Sequence, residues 1–257
     1  MPMAKTSEII NVTQDNVEEV GFFCLMSRKQ SEGYQRKLRW LKDRFAEGMK
    51  IKLLKLPKRG FIEYIPGAYA WRAVEAKGYM FIHCLWVVGK SKGKGYAAQL
   101  LNECIEDAKR VGMNGVAIAT APGNWLIGNE LFLQHGFVPA DRAPLAFELL
   151  VKKFRDAPSP RFTGNWDEKM NRCGKGFTIF RSDQCPYLED AVNYFNETAN
   201  ELNLSIKVIE LKNAKEIREL APTAYGVFNV VYDGKPFSYH YLLKKDILRR
   251  LEDFKAA

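Results

Sequence analysis

Residues Lys90–Leu101 read KSKGKGYAAQLL, and the architecture turns on how they are read. Two glycines alternate with lysines. An apolar stretch, YMFIHCLWVV (Tyr79–Val88), comes before them, and a run of good helix formers follows. The apolar stretch reads as a central strand, and the run after Gly95 as a helix reaching about Arg110. The first N–H groups of a helix lack partners within it and carry the positive end of its dipole. Glycine backbone can approach an anion closely and adopt positive φ. The stretch therefore predicts a pyrophosphate cradle, with lysines adding attraction but no shaped fork. No Gly-Lys-[Ser/Thr] loop and no Gly-x-Gly-x-x-Gly fingerprint is present, so the usual nucleotide motifs do not account for it.

Outward from this loop, residues 1–155 give the order β-α-β-β-β-α-β-α-β-β. The elements are a strand at Ile9–Val12, a helix at Glu32–Phe45 with Leu38, Leu41 and Phe45 on one face, and strands at Met49–Leu56, Phe61–Ile65 and Tyr79–Val88. The loop and its helix follow, then a strand at Val116–Ala119, a helix at Asn124–Gln134, and two strands ending in FELLVKKF. Residues 156–175 break the periodicity with early prolines and late glycines, and read as a linker packed through Phe162 and Trp166. A second unit, 176–257, starts afresh as β-α-β-α-β-β-α. Its helix Leu188–Leu202 carries Val192, Phe195 and Ala199 on one face, and its hairpin turns at DGKP. The class is α/β (α+β), a larger domain followed by a smaller one.

Of the 257 residues, 47% are hydrophobic, enough for a real core. The net charge of +9 is uneven. Residues 1–155 carry 24 Lys and Arg against 15 Asp and Glu, and the remainder carries 15 of each. The whole excess thus sits with the glycine-lysine loop, where it favours an anionic partner. No apolar run reaches about 18 residues, and MPMAKTSEIINVTQ has no signal-peptide core. A cytoplasmic protein with no membrane partner is expected. Five scattered cysteines (24, 84, 104, 173, 185) fit a reducing compartment, and three lone histidines with no Cys-x-x-Cys give no metal site.

LWVVGKSKGKGYAAQLL resembles the coenzyme A signature of the GNAT N-acetyltransferases, [Arg/Gln]-x-x-Gly-x-[Gly/Ala], with Lys92 in place of the usual Arg or Gln. NELFLQHGF resembles the end of that family's fourth helix, and the element order of residues 1–155 is similar to its mixed-sheet fold. The resemblance implies acetyl-CoA as cosubstrate. It implies a pyrophosphate held by backbone around Lys92, Gly93, Lys94, Gly95, Tyr96 and Ala97, and a pantetheine arm against the strand at Leu85, Trp86 and Val87. Asn124 is a further cofactor contact, one residue off the family's spacing. Where the family often has a general-acid tyrosine, this chain has Phe132, which cannot donate a proton. Strand alternation puts His83 on one face with Phe81, Leu85 and Val87, making it a candidate base. The plain alternative is a buried histidine satisfied by backbone. Glu63, on a neighbouring strand, is the other candidate.

In the second unit, Cys185-Pro186-Tyr187-Leu188 resembles a glutaredoxin Cys-Pro-Tyr-Cys with the last cysteine replaced. Ala221-Pro222-Thr223 resembles the cis-proline segment of the thioredoxin-like fold. A cysteine opening a helix is expected to have a lowered pKa, so Cys185 is the candidate thiol. With no cysteine at 188, only Cys173 is left to resolve it; otherwise the module serves for packing or substrate capture. The tandem of a GNAT domain with a thioredoxin-like domain is similar to the YoaP-like acetyltransferases. The sequence thus points to transfer of acetyl from acetyl-CoA to an amine of a small-molecule or peptide acceptor. The alternative is a thiol-dependent redox or thiol-sensing protein. Nucleic acid is not an expected partner, for lack of a binding motif. The acceptor pocket is expected from residues 22–48 and 60–75, with Trp40, Tyr64, Tyr69 and Trp71 as lining or as core.

Overall fold

A computed structural model describes residues 8–123 and 125–256. In chain order the strands are β1 (Ile9–Val12), β2 (Lys50–Leu54), β3 (Gly60–Pro66), β4 (Val74–Glu75), β5 (Tyr79–Val87), β6 (Gly115–Thr120), β7 (Val138–Ala143), β8 (Phe147–Lys153), β9 (Arg161–Phe162), β10 (Phe177–Arg181), β11 (Ile206–Glu210), β12 (Phe228–Tyr232) and β13 (Lys235–Ser238). The helices are α1 (Val17–Val20), α2 (Glu32–Phe45), α3 (Tyr96–Arg110), α4 (Glu130–Gln134), α5 (Trp166–Asn171), α6 (Leu188–Glu201), α7 (Ala214–Leu220) and α8 (Lys244–Ala256).

Seven strands form one mixed sheet in the order β1-β2-β3-β5-β6-β8-β7. Only β5 and β6 run parallel, and their pairing covers Tyr79–Ile82 against Gly115–Ile118. β5 continues to Val87 without β6, so the two strands part at Ile82 and Ile118. That divergence opens the sheet at the centre of the molecule. Apart from His83, β5 is apolar because both its faces are covered over most of its length. Leu100, Leu101, Cys104 and Ile105 of α3 pack with Met80, Ile82 and Leu85 on one side. Tyr79 and Phe81 face the other side, with Phe177, Leu188 and Phe195 of the second unit.

The second unit has a four-stranded sheet, β11-β10-β12-β13, in which β10 and β11 are parallel and the remaining pairs antiparallel. Its core and that of the first sheet's inner face are one cluster, running from Phe81 and Leu149 to Val230 and Leu251. The intervening segment is structured. β9 pairs with β4, Phe162 N–H donates to Asp141 Oδ2 at 2.8 Å, and Phe162 is buried in the shared core with Trp166 packed against it. α2 lies against the second unit so closely that a Cβ on Gly33 would sit 2.1 Å from the Pro186 carbonyl oxygen. A glycine inside a helix, unfavourable by about 1 kcal/mol, is explained by that approach.

Several expectations change. The helix placed at Asn124–Gln134 is confined to Glu130–Gln134. The buried stripe of α2 is Tyr34, Lys37, Trp40 and Leu41, with Leu38 and Phe45 at its margin. The cis-proline expected at Pro222 is absent: among the described residues the cis bond is Leu56–Pro57. Trans is the lower-energy form for an X–Pro bond, and Ala221 (φ −63, ψ 124) accommodates it.

Candidate active site

The glycine-lysine loop sits where the sheet splays. Val88 N–H donates to the Arg59 carbonyl at 3.0 Å, and Arg59 N–H to Ser91 Oγ at 2.9 Å, so the loop is moored to the β2–β3 turn. Gly93 (φ 70) and Gly95 (φ 78) are both left-handed, a conformation costly to any side chain. Gly95 is the N-cap of α3. The helical ladder begins with Gln99 N–H donating to the Gly95 carbonyl at 3.0 Å. The N–H groups of Tyr96, Ala97 and Ala98 therefore lie ahead of the ladder, at the dipole's positive end.

From this mouth a cavity of about 860 Å³ runs inward between β5 and β6, at the large end for a ligand site. Leu85, Trp86, Val87, Lys92, Gly93, Gly95, Tyr96 and Ala97, named in the sequence as cofactor contacts, line it. Lys94 does not line it, and Asn124 lies outside the described residues. Free backbone N–H groups, left-handed glycines and an unpaired strand edge suit a pyrophosphate with an extended arm. Phe132 is fully buried against Phe137 at 5.4 Å in the core beneath α3 and is not part of the lining; neighbouring Leu131 and His135 are.

The inner end of the cavity joins both units. Residues 22–48 and 60–75 contribute Cys24, Lys37, Glu63 and Arg72, while the second unit contributes Gln184, Cys185, Tyr187 and Tyr225. Trp40, Tyr64 and Trp71 are core, and Tyr69 is exposed. Trp125 stacks on Tyr241 of the second unit (11° between planes) at the cavity wall. Of the second unit's wall, Cys185, Pro186 and Tyr187 belong to the motif marked in the sequence. Gln184 and Tyr225 carry no local signal, because their role depends on which surface they meet.

Glu63 and His83 are brought together, but not as a free base. Strands β3 and β5 slip register between Glu63 and Tyr64, so that Glu63 pairs with Cys84, Tyr64 with Ile82, and His83 is the extra residue of a bulge. Alternation breaks there. Phe81 stays on the side of the second unit, whereas Leu85 and Val87 pack with Ile82 on the α3 side. The expectation that His83 shares a face with Leu85 and Val87 fails for this reason. His83 is 4% exposed; its Nε2 accepts from Trp71 N–H at 2.9 Å and its Nδ1 lies 3.3 Å from Glu63 Oε1. Both nitrogens are engaged. Burial, with Arg72 nearby, pulls its pKa down to about 4 against the pull of Glu63. Glu63 is buried, which opposes ionisation, but the Lys37 ammonium 2.6 Å away and His83 outweigh this and hold it at about 2.

Cys185 also departs from expectation. α6 begins at Leu188 with Tyr187 as its N-cap, so the thiol lies before the helix rather than in its first turn. The Tyr187 N–H bonds to the sulfur, yet burial dominates and pushes the thiol up to about 11. Cys24 and Cys84, also on the cavity, are raised by burial, Cys84 to about 12. Cys173 lines a separate small pocket with Thr178 and Phe180 and is not brought to Cys185. Among the described residues, no cluster of His, Cys, Asp or Glu could hold a metal, and no helix is long and apolar enough to cross a membrane.

The model of the acetyltransferase (GNAT) family matches residues 25–137. The chain belongs to this family and is an N-acetyltransferase whose acetyl donor is acetyl-CoA. It is 34% identical over 247 residues to a protein described as the uncharacterized N-acetyltransferase YoaP of Bacillus subtilis (strain 168), covering 94% of this chain and 97% of that one. Among solved structures it is similar to ribosomal-protein-alanine N-acetyltransferase from Brucella melitensis, at 15% identity and a TM-score of 0.43, over 57% of this chain and 99% of the other. It is also similar to PaiA N-acetyltransferase from Thermoplasma acidophilum in complex with coenzyme A, at 16% identity and a TM-score of 0.41, over 58% of this chain and all (100%) of the other.

Proposed function

We propose that the acceptor is a small amine, or the amine of a peptide end, held at the inner end of the cavity and acetylated by direct attack in a ternary complex. The observation that carries this is the cavity itself: one space joins the mouth of α3 to Gln184, Cys185 and Tyr187 of the second unit. Acetyl-CoA supplies the activated acetyl group as a thioester. The N–H groups of Tyr96, Ala97 and Ala98, with the backbone of Gly93 and Gly95, hold the pyrophosphate. The unpaired edge at Leu85–Val87 orients the arm, as an added strand would. With Phe132 buried elsewhere and His83 fully engaged, the chain need supply neither acid nor base: the amine enters neutral and attacks the thioester carbon, the C–S bond breaks to release the thiolate, and the proton shed by the nitrogen passes to that thiolate or to solvent. Incubation with acetyl-CoA and a broad panel of amines and peptides, read by mass spectrometry, is the test. Binding of coenzyme A with no acetylated product from any amine would overturn the acceptor assignment.

On this reading, residues 1–155 form the acetyltransferase domain, 156–175 the connection and 176–257 a thioredoxin-like domain that completes the acceptor pocket. The β-α-β-α-β-β-α order of the second unit and its parallel β10–β11 pair support the thioredoxin-like assignment. Five unpaired cysteines support a reducing, cytoplasmic setting. The thiol-dependent alternative draws on Cys185 lining the cavity and accepting the Tyr187 N–H. Its raised pKa speaks against thiolate chemistry near neutrality and leaves Cys185 as a wall residue.

A further inference from the structure

Two cations and one carboxylate meet at the inner end of the cavity. Lys37 and Glu63 neutralise each other at 2.6 Å. Arg72 is 3% exposed and lines the same cavity, yet it bonds only neutral oxygens. Its Nη1 donates to the Trp71 carbonyl at 2.7 Å and to Gln184 Oε1 at 3.1 Å, and its Nη2 to the His83 carbonyl at 2.7 Å. Among the described residues no carboxylate forms an ion pair with it, the nearby Glu63 being taken by Lys37 and His83. One positive charge is therefore in surplus, and a buried charge without a counter-ion is strongly unfavourable. A guanidinium has five N–H donors. Three are used here, which leaves the Nε–H and one Nη2–H. The Tyr225 ring covers one side of the guanidinium, its centroid 4.8 Å from Cζ, and the Gln184 bond fixes its orientation.

We propose that Arg72 anchors a carboxylate of the acceptor, so that the substrate is an amine of amino-acid type. This rests on reading the inner end of the cavity as the acceptor pocket. A carboxylate matches the fork of a guanidinium and carries the single negative charge needed to balance the surplus. A phosphate monoester carries close to two charges and would overfill it. Arg72 is tied to the carbonyl of His83, the bulge residue two positions before Leu85, where the edge proposed to orient the arm begins. Amine and carboxylate must then lie close together on the acceptor, as they do in an amino acid. Gln184, by holding Arg72, acts as a positioning residue.

The experiment uses the full chain saturated with coenzyme A and titrates matched ligands by tryptophan fluorescence. N-acetyl-leucine and N-acetyl-phenylalanine are compared with their uncharged amides. The same preparations are then assayed with acetyl-CoA on leucine against isoamylamine and phenylalanine against phenethylamine. The wild-type protein should bind the carboxylates at least ten-fold more tightly than the amides. Arg72→Gln should lose that preference, and Arg72→Lys should retain part of it, with coenzyme A affinity unchanged in both. In turnover the loss should fall on KM more than on kcat. Equal binding of acid and amide by the wild type overturns the proposal without any variant having to fold. A carboxylate preference that survives in folded Arg72→Gln overturns it as well. Tight, Arg72-dependent carboxylate binding without acetylation of any amine would support the anchor and reject the acetyl-acceptor reading instead.

Discussion

Gln184 donates its side-chain N–H to Glu63 Oε1 at 2.8 Å, across 121 residues of chain and with both groups buried. The other end of the same amide accepts from Arg72. One neutral side chain of the second unit thus spans an anion and a cation of the first. Gln184→Leu should leave a buried acceptor and a buried donor short of a partner, at about 1–3 kcal/mol for each orphaned group. Because the hydrophobic core is shared, urea unfolding should remain a single transition moved to lower denaturant. Two resolved transitions, with only one displaced, would show that the units are energetically independent.

Gly95→Glu should abolish tight coenzyme A binding. The residue is left-handed and caps α3, so a side chain there strains the backbone by about 1–2 kcal/mol and also brings a negative charge to the anion cradle. Calorimetry should show affinity lower by well over ten-fold with the melting transition still cooperative. Binding as tight as the parent's would place the pyrophosphate elsewhere.

The cavity thiols should be quiet at neutral pH. Cys185 is raised to about 11 and Cys84 to about 12, so alkylation of either should be slow below about pH 8.5, the range of a free thiol, and should quicken only beyond it. The unfolded chain loses these thiol protons first, near pH 8.5, so stability should fall as pH rises from there towards 11. Site-resolved mass spectrometry of alkylation against pH checks the first expectation. Reaction of Cys185 at pH 7 faster than that of a free thiol would revive a thiolate role.

The acid limb of stability has two named contributors. His83 is held at about 4 in the fold against about 6.5 unfolded. The unfolded chain therefore takes up that proton first, and stability should drop by on the order of 3 kcal/mol between about pH 6.5 and 4. Glu63, held at about 2 against about 4.3 unfolded, extends the loss downward from there. His83→Gln should flatten the upper part of this limb in denaturation measured across pH. In turnover, the pH dependence of kcat/KM should follow the ionisation of the acceptor amine. A limb of the kcat/KM profile that disappears with His83→Gln would instead make His83 the base.

The loop, α3 and the course of β5 were legible because each is a local consequence of its own residues. Glycines fix positive φ, helix formers follow them, and an apolar run has to be buried on both faces. The bulge was not legible. It depends on how β3 pairs with β5, and it moved Leu85 and Val87 away from the face of His83. The helix read from Asn124 shrinks to α4 because the apolar run Trp125–Ile127 before it packs as an irregular wall, Trp125 against Tyr241.

The sequence by itself determined the glycine-lysine loop, the end of the cavity proposed to take acetyl-CoA. A pyrophosphate cradle is built from backbone, and backbone geometry follows from contiguous residue types such as those at Lys92–Ala97. Tertiary structure alone decided the inner end of the cavity, where the acceptor is proposed to sit. Arg72, Glu63, Cys84, Gln184 and Tyr225 are far apart in the chain, and none has a local pattern that marks it. Burial then reverses what composition implied, raising Cys185 where a helix start was expected to lower it and binding both nitrogens of His83. Desolvation and pairing depend on what surrounds a group from every side, and here part of that surrounding comes from the other unit.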